Sequence, residues 1–451
     1  MKPPAADTDG RVVILHGTNE VYKLPPFEPS AGGFGDDDAA FLAANGFNAV
    51  RVGVIWAAVE PEPGVFNQAY VASIEQTVQT LADHGIVSIL DMHQDLYSST
   101  FGGEGAPEWA VQTGELPNPE LGFPYNYLLN PAQNHAWDTF WSNADGLENQ
   151  YAQTWEYVAN YFKDNPAVAG YEIMNEPWAG SQWLATIFGS PHFDAQELTP
   201  LYNQVDSAIR AVDPTTPVFF QPNFAFSLGL PTHLGTVNDP HSAFAFHDYC
   251  LQTQLADISF GCLPKLLDTA DEAVAYAGAH GIPAFMTEFA SNNLGTVGAT
   301  LQATDQAQIG WTQWAYSGQT DITTLNPKTE SLVFDPAQPP VGDNVDTAKL
   351  AVLAAPYPQV IAGTPNSWSF DPAAGSGTFQ LSYSTDRVDG SGSFAAGTQT
   401  EISVPSIEYP NGYQVNVTGG HVISAPNSPT LVIASNSGAD TVSVTVTPAA
   451  G

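Results

Sequence analysis

Eight short apolar segments alternate with helical patterns along the chain up to about residue 360. The segments are residues 12–17, 49–56, 87–93, 168–173, 217–221, 243–247, 283–288 and 311–316. Apolar residues recur at intervals of three and four over 70–84, 201–212 and 269–280, which is typical of amphipathic helices. Eight strand–helix alternations predict a (β/α)8 barrel, an α/β fold whose active site lies at the C-terminal rim of the strands.

The pattern changes after Pro356. Helical periodicity is lost, and short alternating runs lie between clusters of Gly, Ser, Pro and Asn, as at 378–383, 400–404 and 441–446. This spacing predicts a small antiparallel β-sandwich. We therefore expect a catalytic barrel over residues 1–362 and a sandwich domain over 363–451, which either caps the barrel or binds sugars.

Two glutamates end predicted strands. Glu176 follows the fourth strand within an Asn-Glu-Pro triplet, in which Pro177 ends the strand because it cannot donate to the ladder. Glu288 ends the seventh strand. Two carboxylates at one barrel rim are what glycoside hydrolysis by double displacement requires, one as acid/base and one as nucleophile. The alternative is that both are ordinary surface glutamates.

Other polar or aromatic groups also stand at strand ends, where a barrel assembles its catalytic centre. They are Arg51 with Trp56, His93 with Asp95, Asn175, His247 with Tyr249, and Trp314. Single members have structural explanations: Arg51 could be a buried ion-pair partner, His247 a core histidine and Trp314 core packing.

The charge balance excludes two classes of partner. Acidic residues outnumber basic ones 47 to 10, giving a net charge of −37, although only 13% of residues are charged. Such a chain repels nucleic acid and anionic membrane surfaces. A surface rich in uncharged polar residues fits a secreted protein. The first residues contain no apolar run, so we expect any signal peptide to have been removed.

Cysteine usage agrees with secretion. Cys250 and Cys262 are the only two cysteines, 12 positions apart, and could form a disulfide that steadies a loop beside the site. The alternative is two unpaired thiols. No CxxC or HExxH spacing is present, so we predict no metal site and no cofactor.

The arrangement resembles glycoside hydrolase family 5. Within that family the segments 91–95, 101–109 and 175–178, together with residues 19–23 after the first strand, resemble endoglycoceramidases, which cleave the β-glucosyl bond between a glycan and ceramide. The resemblance implies that Glu176 is the acid/base and Glu288 the nucleophile. It implies further roles in binding the sugar, positioning Glu288 or supporting the site for Lys23, His93, Asp95, Asn175, Trp178, Tyr249, Trp314, Arg51 and His247.

The implied activity is that of a retaining endo-β-glycosidase acting on glycosphingolipids, working as a monomer with transient contact to lipid or micelle surfaces. Its carboxyl groups should lie roughly 5–5.5 Å apart. Candidates for an apolar aglycone groove are an aromatic loop (Phe101, Trp109, Phe123, Tyr125, Tyr127) and residues 183–193 and 224–234, unless these loops pack on themselves. The alternatives are a β-glucosidase for glucosylceramide or steryl glucosides, a cellulase- or mannanase-like hydrolase, and a glycan-binding protein without activity.

Overall fold

A computed structural model describes residues 5–256, 258–324, 327–371 and 377–449. Its strands are β1 (Val12–Val13), β2 (His16–Glu20), β3 (Ala49–Val54), β4 (Val87–Met92), β5 (Val168–Glu172), β6 (Val218–Phe220), β7 (Ser242–His247), β8 (Ala284–Glu288), β9 (Trp311–Gln313), β10 (Tyr357–Ile361), β11 (Thr364–Asp371), β12 (Thr378–Ser384), β13 (Gln399–Ser403), β14 (Tyr413–Thr418), β15 (Gly420–Val422), β16 (Thr430–Ser435) and β17 (Thr441–Pro448).

The α-helices are α1 (Pro29–Gly32), α2 (Asp36–Ala44), α3 (Trp56–Val59), α4 (Gln68–Ala82), α5 (Tyr125–Leu129), α6 (Pro131–Trp141), α7 (Leu147–Phe162), α8 (Trp183–Ile187), α9 (Thr199–Arg210), α10 (Leu251–Ala256), α11 (Cys262–His280), α12 (Leu294–Ala307), α13 (Pro327–Glu330) and α14 (Thr347–Leu353). Among the described residues, no helix is both long and apolar enough to cross a bilayer.

The strands β2 to β9 close into a parallel barrel in chain order. The expected (β/α)8 architecture is therefore confirmed. Side chains of Ile89, Phe219, Ala245 and Phe285 pack together inside it, and a much larger apolar layer lies between the strands and the surrounding helices. Burial on both faces explains why the strands read as continuous apolar runs rather than alternating ones.

Several predicted boundaries shift. The first apolar segment is divided between β1, which joins the sandwich, and β2, the first barrel strand. The eighth barrel strand ends at Gln313 rather than at residue 316. Helix α11 begins at Cys262, seven residues before the expected start, because Pro264 lies in its first turn, where no backbone N–H is needed.

The C-terminal domain is a sandwich of two antiparallel sheets, with strand orders β1-β10-β13-β16-β15 and β11-β12-β17-β14. Strands β1 and β10 lie on the barrel side of the boundary expected at residue 363, which stays a prediction. The sandwich contacts the barrel where the strands begin: Tyr357 stacks on His16 at 3.7 Å and donates a hydrogen bond to the carbonyl of Gly46. The C-terminal rim of the barrel is thereby left open for a site.

Candidate active site

Arg51 is the centre of the charge network at the barrel rim. The guanidinium is fully buried and lies 2.9 Å from Asp91, 2.5 Å from Glu172 and 2.6 Å from Glu288. It also donates a hydrogen bond to the side-chain oxygen of Asn175. Burial alone would lower the pKa of Arg51, but the three carboxylates raise it. Arg51 is thus an ion-pair partner and a neighbour of the predicted nucleophile at once, so the two interpretations of this residue do not exclude each other.

Glu288 lies at the end of β8 with each oxygen paired. One oxygen faces Arg51, and the other accepts a hydrogen bond of 2.7 Å from the Tyr249 hydroxyl. Burial raises the pKa of Glu288, and the opposing positive charge of Arg51 offsets only part of that rise. Positive charge and an O–H donor at a buried carboxylate favour its ionised form, as a nucleophile requires.

Glu176 follows β5 in a left-handed backbone conformation, with φ of 40°. Few non-glycine residues adopt this region, and they do so mostly where the surrounding structure requires it. The Glu176 N–H donates to Gln221, and its carbonyl oxygen accepts from Gln94. Burial, followed by the negative charge of Asp95, raises the pKa of Glu176 to about 8. A carboxyl group that keeps its proton near neutral pH suits a general acid.

His247 lies between the two glutamates. Its Nδ1 is 2.7 Å from Glu176 and 3.3 Å from Glu288, and the three side chains present atoms within 4.8 Å of one another. Both carboxylates thus approach the same ring nitrogen, which is the close pairing that double displacement requires. Burial lowers the pKa of His247 to about 4, so the ring is neutral at neutral pH.

Gln221 decides where the single proton of His247 is carried. The Gln221 side-chain oxygen accepts the Glu176 N–H, so the amide nitrogen faces Nε2 of His247 at 2.9 Å and donates to it. The proton of His247 is therefore on Nδ1, where it faces both glutamates.

The pH dependence of kcat/KM follows from these environments. With Glu288 as the predicted nucleophile and Glu176 as the predicted acid/base, activity requires ionised Glu288 and protonated Glu176, so we expect a bell-shaped profile. Activity should fall as the pH rises through about 8, where Glu176 loses its proton. It should also fall on the acid side, at a pH above the ordinary ~4.3 of a glutamate, because burial raises the pKa of Glu288. Measuring kcat/KM against pH tests this expectation. On a substrate whose leaving group needs no proton, the Glu176→Gln variant should show no fall in activity at alkaline pH.

Lys23, Asp95, His93 and Trp314 form a second group beside the glutamates. The Lys23 ammonium lies 2.5 Å from Asp95, 2.9 Å from Asp321 and 4.5 Å from the centre of the Trp314 ring. The His93 ring stacks on Trp314 at 5.3 Å. Burial alone would lower the pKa of His93, but Asp91 at 2.6 Å and Asp95 raise it to about 10. The structure thus brings these four predicted sugar-binding residues together, with two fixed cations and one aromatic face.

Trp178 lies elsewhere. Its ring contacts Tyr127, Trp183 and Phe224, and its N–H donates to Asn134. It belongs to the aromatic loops on the Glu176 side rather than to the group around Lys23. Of the residues proposed for the aglycone groove, Phe101 and Tyr127 are buried in the core, so for these two the loops pack on themselves.

Sequence reasoning missed several residues of the site, among them Gln221, Glu104, Asp321 and Thr323. The first had a usable signal, because it ends the fifth strand. Glu104 lies within 4 Å of Lys23 and of His93, and Thr323 donates to Asp95. Asp321 and Thr323 come from the loop after β9, where neither spacing nor residue type distinguishes them from surface residues.

Cys250 and Cys262 are joined by a disulfide bond with the sulfur atoms 2.00 Å apart. Within the described part of the chain, two groups have the spacing of metal ligands, His93 with Asp95 and Glu104, and Glu176 with His247 and Glu288. Lys23 already supplies a positive charge to the first group and Arg51 to the second. The absence of a metal from the working enzyme stays a prediction.

A parallel barrel with two close carboxylates at its C-terminal rim is the fold and site of a retaining glycoside hydrolase. Family models agree: the model for cellulase (glycosyl hydrolase family 5) matches residues 17–320, and the model for the glycoside hydrolase family 5 C-terminal domain matches residues 356–447. The chain belongs to glycoside hydrolase family 5.

Several similar proteins carry the name endoglycoceramidase. The chain is 34% identical to endoglycoceramidase I of Rhodococcus hoagii, over 99% of this chain and 87% of that protein. It is 28% identical to an endoglycoceramidase of Hydra vulgaris, over 91% and 81%. The crystal structure of endo-glycoceramidase II from a Rhodococcus species as a lactosyl-enzyme intermediate superposes with a TM-score of 0.82 at 29% identity, covering 99% of this chain and all of that one. The resemblance to endoglycoceramidases is confirmed, and so are the fold class and the enzyme class.

Proposed function

We propose that this enzyme hydrolyses the β-glucosidic bond between the glycan and the ceramide of glycosphingolipids by double displacement. Glu288 attacks the anomeric carbon while Glu176 donates its proton to the departing ceramide oxygen. Glu176 then accepts a proton from water, and the resulting hydroxide group displaces Glu288 and releases the glycan. Relatives that carry the endoglycoceramidase name support this substrate class.

One observation favours cleavage within a longer glycolipid over removal of a single sugar. Beyond Lys23 the site continues into a cleft of about 470 Å³. The cleft runs between the loops that follow β2, β3, β4 and β9, and its lining includes Phe27, Pro61, Gly102 and Ile322. In the barrel order, the loops after β9 and β2 lie opposite those after β5 and β6, and Glu176, beside which the leaving group departs, follows β5. There is thus room for sugars beyond the one that reacts.

The remaining roles are part of the same proposal. Trp314 packs against the apolar face of the sugar that reacts, and Lys23 and Asp95 bind its hydroxyl groups. Asn175 binds the 2-hydroxyl, where hydrogen bonds strengthen in the transition state. The aromatic loops contact the ceramide, and Trp178, itself buried, packs beneath them.

A product analysis tests the reaction. We expect lactosylceramide or a ganglioside in mild detergent to yield an intact oligosaccharide plus ceramide, seen by mass spectrometry. Release of monosaccharide alone, from glucosylceramide or a steryl glucoside, would instead make the protein a lipid β-glucosidase. Hydrolysis of β-glucans or mannans in place of all three would contradict the glycolipid assignment, and the absence of any hydrolysis would favour a binding protein.

Exposed apolar side chains at the same rim support contact with a lipid surface. Phe188 is 82% exposed and Phe260 is 88% exposed, and Leu129, Leu184 and Ile258 are also exposed. These residues lie on loops that follow β4, β5 and β7, at the end of the barrel that carries the glutamates. With a net charge of −37, the favourable surface is a neutral or zwitterionic one.

Replacing Phe188 and Phe260 together by Asp should lower the hydrolysis of glycolipid in phosphatidylcholine vesicles by about 10-fold or more, since each buried Phe contributes roughly 1.5–3 kcal/mol. Hydrolysis of a soluble aryl β-glycoside should not change. Val422→Asp, at an exposed site in the sandwich, is the matched control. An equal loss on both kinds of substrate would show that the loops act on catalysis and not on surface contact.

We also propose that the protein is secreted and works as a monomer. The disulfide bond and the scarcity of Lys and Arg support an oxidising, extracellular setting. Fractionation of the producing cells tests the first point, and light scattering of the purified protein tests the second.

A further inference from the structure

Tyr249 is held from both sides by one helix outside the barrel. Its neighbours Asp248 and Cys250 both face α11, where Asp248 pairs with Lys265 and Cys250 is bonded to Cys262. Tyr249 faces the opposite way, towards Glu288. Alternate side chains of an extended segment point to opposite sides, which explains this arrangement. Cys262 and Lys265 are three residues apart on the helix and therefore share a face.

Backbone contacts extend the same unit. The Asp248 N–H donates to the carbonyl of Glu288, which continues the pairing of β7 with β8 by one residue. The Tyr249 N–H donates to the carbonyl of Ser227, and the Lys265 ammonium donates to that same oxygen at 2.8 Å. Lys265 therefore binds both the carboxylate of Asp248 and the carbonyl oxygen that accepts the Tyr249 N–H.

We propose that Lys265 and Asp248, with the disulfide bond, are positioning residues that fix the Tyr249 hydroxyl on the nucleophile. The inference rests on the role of Glu288 under the proposed function. Asp248 is almost completely buried, and Lys265 is its only ion-pair partner among the described residues. The Asp248–Lys265 salt bridge and the Cys250–Cys262 disulfide bond are attached about one turn apart on α11, and they hold the residues on both sides of Tyr249. A surface loop without a role at the site would not need both restraints. The group that tunes the nucleophile is thus anchored from the outer ring of helices.

A double-mutant cycle on kcat tests this with any β-glycoside the enzyme cleaves. Tyr249→Phe should lower kcat by about 10–100-fold, the worth of a hydrogen bond to a charged group. Lys265→Met should lower it by about 10-fold in the native enzyme and by less than about twofold in the Tyr249→Phe enzyme, because the group through which it acts is then absent. Lys163→Met, at an exposed lysine, is the control.

The acid limb of the pH profile gives an independent readout. Tyr249 stabilises ionised Glu288, so both single variants should move this limb to higher pH. The other charged or titratable groups that act on Glu288, namely Arg51, His247, Glu176 and His93, are unchanged. If Lys265→Met costs the same factor with and without the Tyr249 hydroxyl, the lysine acts independently and the proposal is overturned.

Two further variants distinguish a loss of positioning from misfolding of the Lys265→Met enzyme. Asp248→Asn removes the ion pair but keeps the lysine, and Cys250→Ser with Cys262→Ser removes the covalent link. Each should show the same dependence on Tyr249, and melting curves report the stability of every variant. A wild-type enzyme that cleaves aryl glycosides but no glycolipid would refute the proposed substrate and leave this cycle fully measurable.

Discussion

Replacing Glu288 by Ser is expected to reduce hydrolysis by roughly four orders of magnitude or more, because the covalent intermediate can no longer form. The loss should appear on every substrate, including aryl glycosides with good leaving groups, since the nucleophile is needed whatever departs. Steady-state kinetics on a glycolipid and on an aryl β-glycoside measure this.

The fold of the Glu288→Ser variant should survive, although removing one carboxylate leaves Asp91 and Glu172 as the ion-pair partners of Arg51 among the described residues. Circular dichroism and a melting curve check that point. Glu75→Gln is the matched control, at an exposed glutamate on α4 that bonds the Tyr161 hydroxyl. Substantial turnover by Glu288→Ser would show that another group attacks the sugar.

Replacing Glu176 by Gln should have an effect that depends on the leaving group. A glycolipid needs a proton on the departing alkoxide, so hydrolysis should fall by roughly 10²–10⁴-fold. A dinitrophenyl glycoside needs no acid, so its first step should stay fast, while the second step slows because no base activates water.

The glycosyl-enzyme should therefore accumulate in Glu176→Gln, and intact-protein mass spectrometry should show the added sugar on a peptide that contains Glu288. A burst of dinitrophenolate equal to the enzyme concentration is the kinetic counterpart. If both kinds of substrate slowed equally and no adduct formed, Glu176 would not be the acid/base.

Sequence reasoning found the two glutamates for a physical reason. The ends of parallel strands in a closed barrel meet at one rim, so residues 112 positions apart in the chain can be assigned to one site before any coordinates are known. The same reasoning placed His247 and Asn175 beside them. It did not predict that Trp178 packs among the aromatic loops, because proximity to Glu176 in sequence does not decide on which side of a turn a large ring packs.

The loops show the limit more clearly. Asp321 and Thr323 join Asp95 and Lys23 only because the loop after β9 folds back over the rim. Their sequence contains no periodicity that fixes such a path. Strand β1 is a similar case: an apolar run that reads as one strand is divided between sandwich and barrel, since β1 pairs with β10 whereas β2 pairs with β3 and β9.

The sequence by itself determined the barrel, the sandwich and the two carboxylates, because each depends on periodicity or on strand-end position, and its motifs indicated the family by resemblance. Only the tertiary structure decided how the carboxylates differ. Burial and Asp95 raise the pKa of Glu176, Arg51 and Tyr249 stabilise the charge of Glu288, and Gln221 fixes the proton of His247 between them. Each of these effects requires residues far apart in the chain to lie within a few ångströms of one another, because electrostatic energies in a buried site depend on such distances.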